Sequence, residues 1–273
     1  MAVIEAKTIS KTYQDLANGR EVRALENVSL SAEENDFLVL LGPSGCGKST
    51  FLNIVAGLVR HDERAGEVLV HGRRVTGPNP RQMAYMFQDP VLYPWRTVLR
   101  NVEFGLEAQR IDKTERRRRA LKYLRMVGLE DFADYYPRQL SGGMSQRVAL
   151  CRSLALETDI VLMDEPFGAL DEQSRIILGD ELVEIWRKVG RTIVFVTHSL
   201  TEAVYLGRRI VVFTARPGRI KAEIRNDLPR PRAIGGPEFN RMIDTLWSHL
   251  KEESLAAIKR EKTRHDPIDL PKE

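Results

Sequence analysis

The nine residues Gly42-Pro43-Ser44-Gly45-Cys46-Gly47-Lys48-Ser49-Thr50 constrain this chain more than any other stretch. They fit the phosphate-loop spacing G-x-x-x-x-G-K-[ST] without a mismatch. The flanks agree with them. The apolar run Phe37-Leu38-Val39-Leu40-Leu41 reads as a buried strand, and residues 49–57 place apolar side chains at helical spacing before a glycine stop. Strand, glycine-rich loop and helix in that order turn several backbone N–H groups and a helix N-terminus toward one point, which favours a polyphosphate. Lys48 would lie across the β- and γ-phosphates, and the Ser49 hydroxyl would ligate Mg2+. Kinases, GTPases, recombinases and transporter ATPases all share such a loop, so the rest of the chain has to choose among them.

The chain has 273 residues, and 42% of them are hydrophobic, enough for a packed core and too many for a disordered polymer. No apolar run approaches the roughly 20 residues that span a bilayer. The first residues lack the apolar region of a secretory signal. Cys46 and Cys151 are the only cysteines and have neither metal-ligand nor disulfide-framework spacing. A cytosolic setting is expected. The net charge of +4 is compatible with nucleic acid or an anionic membrane and establishes neither. The run Arg116-Arg117-Arg118-Arg119 falls in a helical stretch, where successive residues rotate by roughly 100°, so these arginines fan out as a solvated face.

In order, strands are expected at residues 2–9 and 22–30 with a turn at Asn18-Gly19, then a hairpin at 66–75 closed by His71-Gly72. Tyr13 could stack on a flat base or serve as an ordinary edge-strand aromatic. The strand at 83–87 runs into Gln88, whose amide oxygen can coordinate Mg2+ and sense a γ-phosphate, because ligands collect at the carboxyl ends of parallel strands. Helices over 98–109 and 113–127 form an insertion. A second glycine-rich helix start follows at Ser141-Gly142-Gly143, leading a helix to residue 156. One bound nucleotide does not need two such sites.

The strand Ile160-Val161-Leu162-Met163 ends in Asp164 and Glu165. The first carboxylate would hold the Mg2+ shell and the second can polarise an attacking water. The strand at 191–197 ends in His198, which comes to the same edge.

Together these residues resemble the ATP-binding subunit of an ABC transporter over about residues 4–235. Gly42–Ser49 is similar to the Walker A, Gln88 to the Q-loop glutamine, and Asp164-Glu165 to the end of Walker B. Ala169-Leu170-Asp171 is similar to the D-loop, His198 to the switch histidine and Tyr13 to the adenine-stacking aromatic. Leu140-Ser141-Gly142-Gly143 is similar to the family signature, with Met144 where Gln is usual. The resemblance implies an α/β fold: a P-loop NTPase with a RecA-like parallel-sheet core, an N-terminal antiparallel β subdomain and a helical signature subdomain at about 90–157. It also implies a head-to-tail homodimer in which Ser141–Gly143 of one copy closes over ATP held by the other. In that dimer Glu165 activates water, His198 contacts the γ-phosphate and Asp171 carries signals across.

A narrower similarity links Phe87-Gln88-Asp89-Pro90-Val91-Leu92-Tyr93-Pro94-Trp95-Arg96-Thr97, residues 197–203 and Ala215-Arg216-Pro217-Gly218-Arg219-Ile220 to nitrate, sulfonate and taurine importers. It implies a membrane permease docking near Tyr93, Pro94 and Trp95, a solute-binding protein engaged through that permease, and a peripheral place on the cytoplasmic face of the membrane. The competing reading is an ABC-type ATPase acting on nucleic acid in repair or translation. Those proteins carry long coiled coils or tandem ATPase halves; here the span from Gln88 to Ser141 is short and there is one phosphate loop, so no nucleic-acid partner is expected. Beyond Pro229-Arg230-Pro231-Arg232 a linker leads to an extension over 236–273. Its helix, over 238–262, has an apolar face at Phe239, Met242, Ile243, Leu246 and Leu250 that is expected to pack on the domain or its twin, and a charged tail follows.

Overall fold

Two kinds of hydrophobic pattern build two sheets. The computed structural model describes residues 2–14, 19–62 and 66–264. Asn18 and the tail beyond residue 264 lie outside these. Alternating strands form the first sheet: β1 (Ala2–Gln14), β2 (Glu21–Glu33), β4 (Glu67–Val70) and β5 (Arg73–Arg74), antiparallel in the order β2-β1-β4-β5. The first two strands run further than the expected 2–9 and 22–30. Bulges near Thr8 (φ 56°) and Asn27 (φ 50°) break the period of two, so the alternation fades although pairing continues from Ala2↔Glu33 to Gln14↔Glu21. The β4–β5 turn falls at His71-Gly72, both with positive φ, as a two-residue hairpin turn requires.

Continuous apolar runs form the second sheet. Its members are β3 (Phe37–Leu41), β6 (Met83–Met86), β7 (Ile160–Asp164), β8 (Thr192–Thr197), β9 (Arg209–Phe213) and β10 (Ile220–Arg225), in the order β10-β9-β3-β8-β7-β6. All pairings are parallel except β9–β10. Such strands are apolar throughout because both faces are covered, and their residues divide between two cores. Phe37, Val39 and Leu41 pack with the helical layer; Leu38 and Leu40 pack with the antiparallel sheet and helix α1 (Lys48–Val55).

The helical layer holds α2 (Val98–Ala108), α3 (Lys113–Met126) and α4 (Gly142–Leu154), all between β6 and β7 in the chain, then α5 (Glu172–Val189) and α6 (Leu200–Leu206). Side chains set the starts: Thr97 accepts from the Arg100 N–H, Asp112 from Thr114 and Ser141 from Met144. On α3 the arginine run diverges: Arg118 and Arg119 pair with Glu115, Arg116 donates to the Ile111 carbonyl and Arg117 is exposed. The last helix, α7 (Pro237–Arg264), buries Phe239, Leu246 and Leu250 and packs on α6 and β9. No helix among the described residues is long and apolar enough to cross a membrane.

The parallel sheet delivers its chemistry to one edge. The carboxyl ends of β3, β7 and β8 lead directly into the phosphate loop, Asp164-Glu165 and His198.

Candidate functional site

The phosphate loop is held from behind. Gly47 opens α1 at φ 111°, and a Cβ there would lie 2.7 Å from the Ala24 carbonyl oxygen and 2.8 Å from Leu25. Only glycine meets both demands. Lys48 is 4% exposed, and its ammonium donates to the carbonyls of Gly42 (2.7 Å) and Pro43 (3.0 Å). Cys46 is buried, and burial pushes its thiol up, away from reactive thiolate. A cleft of about 220 Å³ opens over this loop, with Tyr13 on one wall and Glu165 and Arg216 on others; residues 45–50 form its floor. Tyr13 is half-exposed beside the Lys11 ammonium, 5.2 Å from its ring centroid. A larger cavity of about 450 Å³ lies beside α5, Arg230 and Arg232. Those two guanidiniums are committed to carbonyls at the end of α6, so volume does not mark the chemistry here.

Two carboxylates stand at this edge, Glu165 in the cleft wall and Asp164 against Ser49. The Ser49 hydroxyl donates to Asp164 Oδ1 at 2.9 Å, although 115 residues separate them. Burial pushes the Asp164 carboxyl above the usual range, against the Ser49 hydrogen bond, which favours its charged form. The Tyr85 hydroxyl is buried without a hydrogen-bond partner, and burial together with the Asp164 charge drives its pKa upward. The half-buried Ser49 hydroxyl and the Asp164 carboxylate it touches are the hard oxygen donors that Mg2+ takes from protein, its other positions filled by water and phosphate. Among the described residues there is no cluster of three His, Cys, Asp or Glu that could hold a metal.

Glu165 has φ 45°, in the left-handed region, a conformation that costs a residue with a side chain about 1–3 kcal/mol. Its N–H is tied to the Val196 carbonyl (3.1 Å), and its Oε2 lies 3.0 Å from His198 Nδ1. The strained backbone thus turns the carboxylate from the end of β7 toward the end of β8. A carboxylate in contact with an imidazole can accept a proton and be held in place while it does so. Behind His198, Thr197 donates to Glu202, and Glu202 pairs with Arg175, which donates to the Leu170 carbonyl.

The remaining candidates lie elsewhere. β6 ends at Met86, one residue short of the expected strand, and Gln88 is exposed. The Gln88 carbonyl accepts from Gln146 (3.3 Å), and its side chain makes no hydrogen bond with Ser49 or Asp164. Ser141 and Gly142 are exposed at the start of α4, and neither they nor Gly143 line the cleft. Asp171 caps α5, accepting from the Ser174 N–H at 2.9 Å, and this bonding lowers its pKa. The fold therefore gathers Tyr13, Gly45 to Thr50, Asp164, Glu165 and His198, and leaves Gln88, Ser141–Gly143 and Asp171 apart from them. Tyr93 and Trp95 stay together, ring centroids 5.7 Å apart, but differ in burial: the Tyr93 ring also packs on Phe104 (4.5 Å), whereas Trp95 is 72% exposed.

Two residues escaped the sequence reading of sites. Fully buried Asn101 donates to the carbonyls of Tyr93, Arg96 and Thr97 and accepts from the Tyr93 N–H (2.8 Å), fixing the turn that presents Trp95. An amide on the apolar face of a predicted helix was its only signal. Arg216 donates through Nε and Nη2 to the Gly45 carbonyl (3.1 and 2.9 Å); its signal was the Arg-Pro-Gly-Arg turn itself.

The ABC transporter family profile matches residues 25–168. An ABC transporter ATP-binding protein of Methanocaldococcus jannaschii is 51% identical over 256 residues, 94% of each chain. A taurine import ATP-binding protein of Rhizobium johnstonii is 42% identical, covering 88% of this chain and 90% of that one. An aliphatic sulfonates import ATP-binding protein of Bacillus cereus is 42% identical, covering 86% and 92%. Among solved structures, the dimeric post-hydrolysis state of an ATP-binding cassette bound to ADP and Pi superposes with a TM-score of 0.75 at 34% identity, over 83% of this chain and all of that one. With motif, fold and relatives in agreement, the chain belongs to the ABC transporter family as an ATP-hydrolysing, ATP-binding subunit that resembles those of taurine and sulfonate importers.

Proposed function

We propose that this subunit energises import of a small anion of the taurine, sulfonate or nitrate kind through a separate membrane permease. Two copies would meet head to tail and enclose two ATP molecules. The observation that carries the reading is the division of the site. The cleft over the phosphate loop is lined by Lys48, Ser49 and Glu165, with Asp164 bonded to Ser49 and His198 to Glu165 behind them, while the second glycine-rich helix start, with Ser141 and Gly142 exposed, stands outside it.

In this scheme Tyr13 stacks on adenine and the backbone N–H groups of residues 44–50 cradle the phosphates. Lys48 leaves the Gly42 and Pro43 carbonyls for the phosphate oxygens. Ser49 and Asp164 would hold Mg2+, with Gln88 drawn in from the end of β6; the ion would supply charge neutralisation at the β- and γ-phosphates. Glu165 takes the proton of the attacking water, and His198 orients the Glu165 carboxylate and faces the γ-phosphate. Ser141–Gly143 of the second copy supplies N–H donors to the same phosphate from the opposite side. Asp171 would lie at the contact between copies.

The permease is proposed to dock at Trp95 and Pro94, on the turn braced by Asn101, with the solute-binding protein engaged only through it. That places the subunit peripherally, on the cytoplasmic face of the membrane. The test is reconstitution of the subunit with its permease and binding protein in liposomes. Taurine, an alkanesulfonate or nitrate should raise ATP hydrolysis and accumulate inside. Hydrolysis indifferent to all three, with no accumulation, would reject the cargo class.

A further inference from the structure

The turn between β9 and β10, residues 214–219, is clamped from two sides. On one side it is wedged against the phosphate loop. The Gly218 N–H donates to the Ala24 carbonyl (2.8 Å) and its carbonyl accepts from the Glu26 N–H (3.0 Å). A Cβ at Gly218 would lie 2.3 Å from the Cys46 carbonyl oxygen, so no larger residue fits there. On the other side stands α7. Glu253 accepts from the Ala215 N–H (2.7 Å) and from the Lys221 ammonium (2.8 Å), and Arg260 donates to the Arg216 carbonyl. The backbone on both sides of the Arg216 Cα is thereby held by side chains of the C-terminal helix, which is itself anchored by buried Phe239, Leu246 and Leu250.

From that turn the Arg216 guanidinium reaches the tip of the phosphate loop and donates twice to one acceptor, the Gly45 carbonyl. In a trans peptide the C=O and the following N–H point in opposite directions. Fixing the Gly45 carbonyl therefore fixes the Cys46 N–H, one of the donors the loop offers to phosphate. Gly45 sits at φ 68° and has no Cβ to restrain the adjoining peptide. Without a partner for its carbonyl this peptide would be free to rotate, and nucleotide binding would bear the cost of ordering it. The guanidinium also brings a positive charge to the cleft that receives the phosphates.

We propose that Arg216 is a positioning residue for the phosphate loop, preorganising the Gly45–Cys46 peptide for ATP, and that α7 sets the strength of nucleotide binding by holding Arg216 in place. The C-terminal extension then has a role in the ATP site although none of its residues lines that cleft.

The test uses the full chain and reads the equilibrium binding of a fluorescent ATP analogue beside a thermal melt. Arg216→Ala should weaken binding about tenfold, as expected for a lost charged hydrogen bond. Arg216→Lys, with a single donor available to Gly45, should recover part of that loss. The double variant Glu253→Ala with Arg260→Ala should weaken binding about threefold, and adding Arg216→Ala to it should give no greater loss than Arg216→Ala alone, because both act through one contact. Wild-type affinity in Arg216→Ala, or losses that multiply in the triple variant, would overturn the proposal. If Arg216→Ala does not fold, the order wild type, Lys, Gln in binding strength decides in its place; equal affinities across the three would reject the role.

Discussion

Two glycine-rich helix starts in this chain have nearly the same chemistry and opposite surroundings. At the start of α1, Gly47 is packed against Ala24 and Leu25, Lys48 is almost fully buried, and Ser49 already bonds Asp164. At the start of α4, Ser141 and Gly142 face outward, a Cβ on Gly142 would meet nothing within 4 Å, and the Ser141 hydroxyl does no more than cap its own helix. The first is completed by its own chain; the second is built and left open. In the proposed head-to-tail dimer a second copy would bring the anion to this exposed donor set, which would account for two glycine-rich helix starts in one fold.

The largest effect should come from the closed side. Glu165→Gln should lower the ATP turnover number by about 10²–10⁴, the usual weight of a general base, with nucleotide binding retained and ATP-bound dimers persisting on size-exclusion chromatography. Full turnover in that variant would remove Glu165 from the proposed role. Lys48→Ala should act earlier, weakening ATP binding by about 10- to 100-fold through lost charged hydrogen bonds, as titration calorimetry would read. Unchanged affinity would contradict the placement of its ammonium.

On the open side, Trp95→Ala should leave melting unchanged, because the side chain is mostly solvent-exposed, while co-purification with the permease is lost. Normal assembly together with a sharp fall in melting temperature would make Trp95 a packing residue of the helical layer. Asn101→Ala should show the converse order: its four hydrogen bonds to the turn are buried, so stability falls first.

The smallest effect is on stability and is set by pH. Burial raises the Asp164 and Glu202 carboxyl pKa values, so the folded chain binds protons there more tightly than the unfolded chain. The stability these groups lend is complete below the ordinary carboxylate range and is lost as pH rises through their raised values; at neutral pH their charged forms oppose folding. Asp164→Asn keeps an acceptor for Ser49 and removes the charge. It should raise the melting temperature at neutral pH by about 2–4 °C, a gain that shrinks toward pH 4. A lower melting temperature at neutral pH would show that the charge stabilises the site.

The same contrast explains what was legible in the sequence. The phosphate loop, the apolar strands and the carboxylates that end them are local patterns, and the sheet order brings them to one edge as the strand-end rule requires. The extent of β1 and β2 was not legible, because the bulges at Thr8 and Asn27 erase the alternation that reveals a strand. Arg216 and Asn101 were missed because their partners are backbone carbonyls, which leave no trace in side-chain spacing. The deeper burial of Tyr93 than of its neighbour Trp95 depends on Phe104, which a linear reading places one helix away.

One measurement bears most directly on the division between the closed and open helix starts. Ser141→Arg puts a bulky cation into the open site and should abolish hydrolysis, and Glu165→Gln disables the closed one. Mixed in equal amounts, the two inactive proteins should recover about a quarter of the wild-type rate, since about half of the dimers are then mixed and each mixed dimer has one intact composite site. A mixture no more active than its components, or Ser141→Arg hydrolysing ATP at the wild-type rate as a dilute monomer, would contradict a site shared between two copies.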